Sequence, residues 1–223
     1  MLVAEVPNIG PELLVVHAAI SRGMKVAEEH GRRFSREDYP DAATRAGFIS
    51  YVRTFVSVLH EHHLLEEELA FPRLQEKFPD APYDLLLDQH KVIVGILDEV
   101  GAALEGVAAD TRPGESLNGL TDGLSRLAVL WHPHIQIEQE HFTVEQAAAR
   151  LSADEQIEWS RLFMEYSQQH ASPDCLVLPF MLYNLPPAER SIFAGMLPPI
   201  VTEQLVPMAW REQWEPMRPF LLI

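Results

Sequence analysis

His62 and Glu66 stand one helical turn apart in the run His62-His63-Leu64-Leu65-Glu66-Glu67, and His134 and Glu138 repeat that spacing later in the chain. On a helix, a histidine and a carboxylate four residues apart share a face and point into the same volume. His17 and His90 each interrupt an otherwise apolar row. A lone core histidine is ordinarily satisfied by a backbone carbonyl. Four imidazoles and two carboxylates in core-facing rows are harder to satisfy that way, and a metal ion partners both kinds of group. Imidazole and carboxylate together suit Fe, Mn or Zn, and carboxylates able to bridge two ions favour a dinuclear site inside a helix bundle. The candidate ligands are therefore His17, His62, Glu66, His90, His134 and Glu138.

Four helical rows must position them. Pro11 opens the first, whose apolar face reads Leu13, His17, Ile20, Met24, Ala27 and ends near His30-Gly31. The second spans about 42–78, with Phe48, Val52, Phe55, Leu59, His62, Glu66 and Leu69 in alternating steps of four and three; Pro72 predicts a kink or local break. The third starts near Tyr83 and carries Leu86, His90, Ile93, Leu97, Val100 and Leu104. After the punctuation at 109–114, the fourth carries Leu120, Leu124, Leu127, Trp131, His134, Glu138 and Phe142. Ser152-Ala153-Asp154-Glu155 predicts a capped fifth helix to about His170. From Pro173 onward prolines alternate with Leu, Phe, Met and Trp. That tail is too apolar for a disordered linker and reads as short helices packed on the bundle or on a second subunit. The expectation is an all-α protein: an antiparallel four-helix bundle over 1–152, then a fifth helix and a Pro-rich helical extension over 153–223, the extension offering a homodimer contact.

Composition narrows the function classes. The chain has 223 residues, 47% hydrophobic and 22% charged, enough for a sizeable core. A formal net charge of −16 opposes binding to phosphate backbones, so no nucleic-acid partner is expected. No apolar run approaches a membrane span, and the first residues lack a secretory pattern. The single cysteine, Cys175, cannot form an internal disulfide, so the expected location is the cytoplasm.

The ordered series H…HxxxE…H…HxxxE, with Glu66-Glu67-Glu68-Leu69-Ala70-Phe71-Pro72 after the second histidine, resembles the hemerythrin-like (HHE cation-binding) family over roughly 11–150. The resemblance implies two iron ions with an oxo or hydroxo bridge, Zn or Mn being substitutes, and a small diatomic or peroxide ligand: O2, H2O2 or NO. If Glu66 and Glu138 bridge and the four histidines divide evenly, each ion keeps an open position. Oxygen-carrying members use five histidines and a bridging Asp; this pattern is more similar to bacterial members tied to peroxide, nitric oxide or iron–sulfur cluster repair. Cluster-repair members often carry a cysteine-bearing N-terminal domain, whereas this sequence reaches its first helical row almost at once. A non-catalytic iron- or gas-binding or sensing module is the alternative within the resemblance, and a metal-free scaffold is the alternative outside it.

The remaining polar candidates read as bystanders. His63, one residue out of phase with His62, is expected on the solvent or supporting side of helix two, and His60 on the surface. His132 reads as a supporting donor, and Trp131 as a wall of the site. Tyr51 reads as core filling, and His30 and His170 as helix-end residues. Glu138-Gln139-Glu140-His141 has ferritin-like spacing but no matching partner on helix two, which makes it a chance match. Pro133 predicts a kink just before His134.

Overall fold

A computed structural model describes residues 9–36, 39–109 and 113–223. The described residues are overwhelmingly helical and contain no strand. Four long helices form the body: α1 (Ile9–Arg36), α2 (Ala42–Leu65), α4 (Tyr83–Ala109) and α5 (Pro113–His141). Helix α4 packs on α5 and α2, and α1 packs on α5 and α2, which closes the ring. Asp41 caps α2 by accepting a hydrogen bond from the Thr44 backbone N–H at 2.8 Å. The expected loop at 109–114 falls partly outside the described residues, as does the segment 1–8. Helix α1 runs past His30-Gly31 to Arg36, so His30 sits within the helix, its ring edge-on to Phe220 at 4.8 Å.

The second sequence row does not continue as one α-helix. Helix α2 ends at Leu65, a π-helical turn follows over Glu66–Ala70, and the short helix α3 occupies Phe71–Lys77. Pro72 has no N–H to give the Glu68 carbonyl, and its ring crowds that oxygen in α-helical register. The backbone widens instead, and the Phe71 N–H reaches the Glu66 carbonyl. Such turns recur at functional sites because they re-aim side chains. Pro133, by contrast, leaves α5 unbroken. It lies exposed on the outer face, and the carbonyl that its missing N–H leaves without a helical donor belongs to Val129, itself exposed.

Apolar side chains fall into two buried clusters with the polar residues between them. On α1 and α4 the order along the chain is second cluster, histidine, first cluster: Leu13, His17, Ile20 and Leu86, His90, Ile93. On α2 and α5 it reverses, from Leu59 through His62, His63 and Glu66 to Ala70, and from Trp131 through His134 and Glu138 to Phe142. A polar layer is thus sealed above and below by hydrocarbon.

The remaining chain wraps this body. Helix α6 (Val144–Arg150) and α7 (Ala153–His170) follow α5, α7 starting with the expected capping box of Ser152 and Glu155. Helices α8 (Asp174–Tyr183) and α9 (Pro187–Met196), a π-helical stretch (Val201–Ala209), α10 (Arg211–Trp214) and a 3₁₀ segment (Glu215–Phe220) make up the proline-rich tail. Phe180, Met181, Met217 and Phe220 join the first cluster. Tyr51 donates a hydrogen bond to Asn184 at 2.7 Å, and Arg22 donates to Asn184 and to the Phe220 carbonyl, pinning the tail to α1 and α2. Tyr51 is therefore an anchor for the tail rather than part of the histidine layer. No single helix among the described residues is long and apolar enough to cross a membrane.

Candidate metal centre

All six residues expected from the sequence meet in the layer between the two clusters, and the structure adds His63. It is 1% exposed rather than solvent-facing, which corrects the expectation for that residue. Their donor atoms form two groups: His17, His62, Glu66 and Glu138 in one, His63, Glu66, His90 and His134 in the other. Glu66 belongs to both. Its Oε1 lies 3.3 Å from His62 Nε2, while its Oε2 lies 3.4 Å from His90 Nε2. Glu138 divides in the same way, with Oε2 3.1 Å from His17 Nε2 and Oε1 3.4 Å from His134 Nε2. Each carboxylate therefore offers one oxygen to each group.

Hydrogen bonds behind the layer fix the imidazole tautomers. A carboxylate only accepts, so His90 Nδ1–H donates to Glu67 Oε1 at 2.9 Å. His134 Nδ1–H donates to Gln89 Oε1, also at 2.9 Å, whereas at His17 the Gln139 amide N–H donates to Nδ1 at 3.3 Å. With their protons on Nδ1, His90 and His134 present bare Nε2 lone pairs to each other at 3.2 Å. Two facing lone pairs repel, and a cation between them removes the repulsion. Orientation of ligating histidines by carboxylates and amides is the usual supporting arrangement at metal sites.

The layer is badly satisfied by protein alone. His17 Nε2, His62 Nε2, both nitrogens of His63, Glu66 Oε2 and both carboxylate oxygens of Glu138 are buried without a hydrogen-bond partner. Each such group costs about 1–3 kcal/mol, so a native fold tolerates few of them. Clustered in one layer with imidazole and carboxylate chemistry, they fit a metal well.

Electrostatics prepare the same groups. Burial, then the neighbouring imidazoles, push His62 and His63 far below the usual histidine range. Burial pushes His90 and His134 down to about 4. All four are thus neutral at pH 7, the form that binds metal. Glu66 is pushed well up by burial and by the charge of Glu138. Burial alone would raise Glu138 as well, but the imidazoles turned toward it, His17 Nε2 at 3.1 Å first and then His134 and His90, hold it below the ordinary range.

The other sequence candidates stand apart. His60 is exposed, as expected. His132 is exposed too, which removes it as a supporting donor. His141 turns back to the Ile137 carbonyl at 2.8 Å, so the ferritin-like spacing carries no ligand. Trp131 walls the layer, its ring centroid 5.5 Å from that of His17 and 5.9 Å from that of His134, with its indole N–H donating to Ser21. Besides His63, sequence reasoning missed the supporting roles of Glu67 and Gln89. The signal for His63 was present, since it lies four residues after Leu59 just as His62 lies three after it.

A cavity of about 560 Å³ borders one side of the layer. Of the seven residues, His62 and Glu66 line it, and none of His63, His90 and His134 does.

The family model for the hemerythrin HHE cation binding domain matches residues 11–170, well over half of the chain. No curated protein and no solved structure matches significantly.

Proposed function

Since this chain belongs to the hemerythrin HHE cation-binding family, its buried imidazole–carboxylate layer is a cation site, and we propose that it holds two iron ions and handles a small oxidant, O2, H2O2 or NO. One observation carries the dinuclear reading: Glu66 and Glu138 each turn one oxygen toward each histidine group. A mononuclear site has no use for that division. Two adjacent irons would supply the paired electrons that O2 or peroxide takes up.

The residues define two unequal halves. His63, His90 and His134 with two carboxylate oxygens offer five donors, while His17 and His62 with the other two oxygens offer four. Of the five histidines only His62, in the donor-poor half, borders the cavity, so a spare position on that ion would be open to a small molecule. The four histidines expected from the sequence fall two in each group, and His63 brings one group to three. Glu67 and Gln89 hold the lone pairs of His90 and His134 inward, and Trp131 with the apolar clusters excludes bulk water.

Anaerobic iron-loaded protein, mixed in turn with O2, H2O2 and NO, tests the reading by optical spectroscopy. A spectral change with at least one of the three is expected, with its loss in His62→Ala. No response to any of them, in protein containing two irons per chain, contradicts an oxidant-handling role. Oxygen release from peroxide would identify turnover, and reversible O2 binding without it would identify a carrier or sensor.

A further inference from the structure

The cavity is far larger than a diatomic needs. One water takes about 30 Å³ of liquid volume, so 560 Å³ exceeds the room for O2 or peroxide by roughly an order of magnitude. It falls instead in the range of small-molecule sites, about 300–1,000 Å³. Its walls are predominantly apolar. Leu13 and Val58 come from the bundle, Phe163 and Met164 from α7, and Leu178 and Leu197 from the tail. The proline-rich segments thus roof a chamber that reaches the layer at His62 and Glu66.

We propose that this chamber binds a largely apolar organic molecule whose polar end donates a hydrogen bond and carries no negative charge. The charge requirement follows from the lining. Apart from the proposed ligand Glu66, the carboxylates of Glu12, Glu61 and Asp174 line it, and among the described residues lining it there is no lysine or arginine. A fatty carboxylate or sulfate would be repelled there, whereas an alcohol or amine would not. Glu61 supplies the second indication: its Oε2 is buried without a partner beside the cavity, an acceptor awaiting a donor. The binding claim stands on the cavity alone. Only the statement that the ligand ends against His62 and Glu66, beside the metal, rests on the dinuclear reading.

The test uses the full-length protein and the neutral fluorescent probe N-phenyl-1-naphthylamine, displaced in turn by dodecanol, dodecylamine and dodecanoate. Saturable uptake at one site per chain is expected, with the alcohol and amine displacing it at least about tenfold more effectively than the carboxylate. Leu178→Trp and Met164→Trp, each placing an indole in the chamber, should abolish uptake while leaving the helical circular dichroism unchanged. If one variant misfolds, the other reports. The proposal is overturned by absent or non-saturable uptake, by dodecanoate competing as well as the alcohol, or by undiminished uptake in a folded tryptophan variant. Because the probe reports without any metal, protein found to contain no iron would sink the iron reading and leave this result standing.

Discussion

Replacing Glu66 or Glu138 by methionine removes the same functional group from two buried positions in one layer, yet the two changes should move the stability of metal-free protein in opposite directions. Glu66 is 3% exposed, its Oε2 lacks a partner, and burial with the Glu138 charge raises its pKa. An acid whose folded pKa lies above its unfolded value stabilises the fold at low pH, and that contribution is lost as pH rises through the folded pKa. At neutral pH the fold therefore pays for Glu66, and an apolar side chain of similar volume should stabilise metal-free protein by about 1–3 kcal/mol. Glu138 is held low by His17, His134 and His90, so its contribution is present at neutral pH and disappears as pH falls. Removing it takes away the carboxylate those imidazoles face and should cost about 1–3 kcal/mol. For a chain of this size each kcal/mol moves Tm by about 2–4 °C, well within reach of thermal melts on chelator-treated protein at pH 7. Both variants should lose the stabilisation that added metal gives the parent. If Glu66→Met and Glu138→Met shift the metal-free melt in the same direction, the electrostatic account of the layer is wrong.

Other expectations follow from single contacts. Glu67→Ala frees His90 Nδ1 and should weaken metal binding by about 10- to 100-fold while leaving the melt of metal-free protein nearly unchanged, as titration with a competing chelator would show. Pro133→Ala restores a helical donor on the exposed face of α5 and should stabilise the protein by about 1–3 kcal/mol with metal content unchanged; lost metal would mean that the proline aims His134. A Cβ added at Gly47 would run into the Pro216 carbonyl, so Gly47→Ala should push the 3₁₀ segment off α2 and cost about 1–3 kcal/mol by urea denaturation.

The candidate ligands on α1, α4 and α5 were legible because an ideal helix keeps three- and four-residue steps on one face, and a polar residue in such a row is costly unless used. All seven members of the α5 row are buried, and the six residues chosen this way share one layer. Phase alone could not separate His62 from His63, because both follow Leu59 by an allowed step and the layer is wide enough to take both. Glu67 was invisible for a different reason. It is exposed on its own helix and acquires its role from His90 on another, a pairing that spacing along one chain segment does not encode. Pro72 announced a break in helix two, but its form as a π-helical turn beginning at Glu66 needed the backbone. The tail's apolar character was plain, whereas its placement as the roof of a cavity depends on tertiary contacts such as Asn184 with Tyr51 and Arg22.

The most direct test of the dinuclear account is metal analysis joined to the Mössbauer spectrum of protein loaded with isotopically enriched iron. Two irons per chain are expected, in two distinguishable sites of equal population, since three imidazoles would serve one ion and two the other. One iron or fewer per chain, or two irons in indistinguishable surroundings, would contradict it.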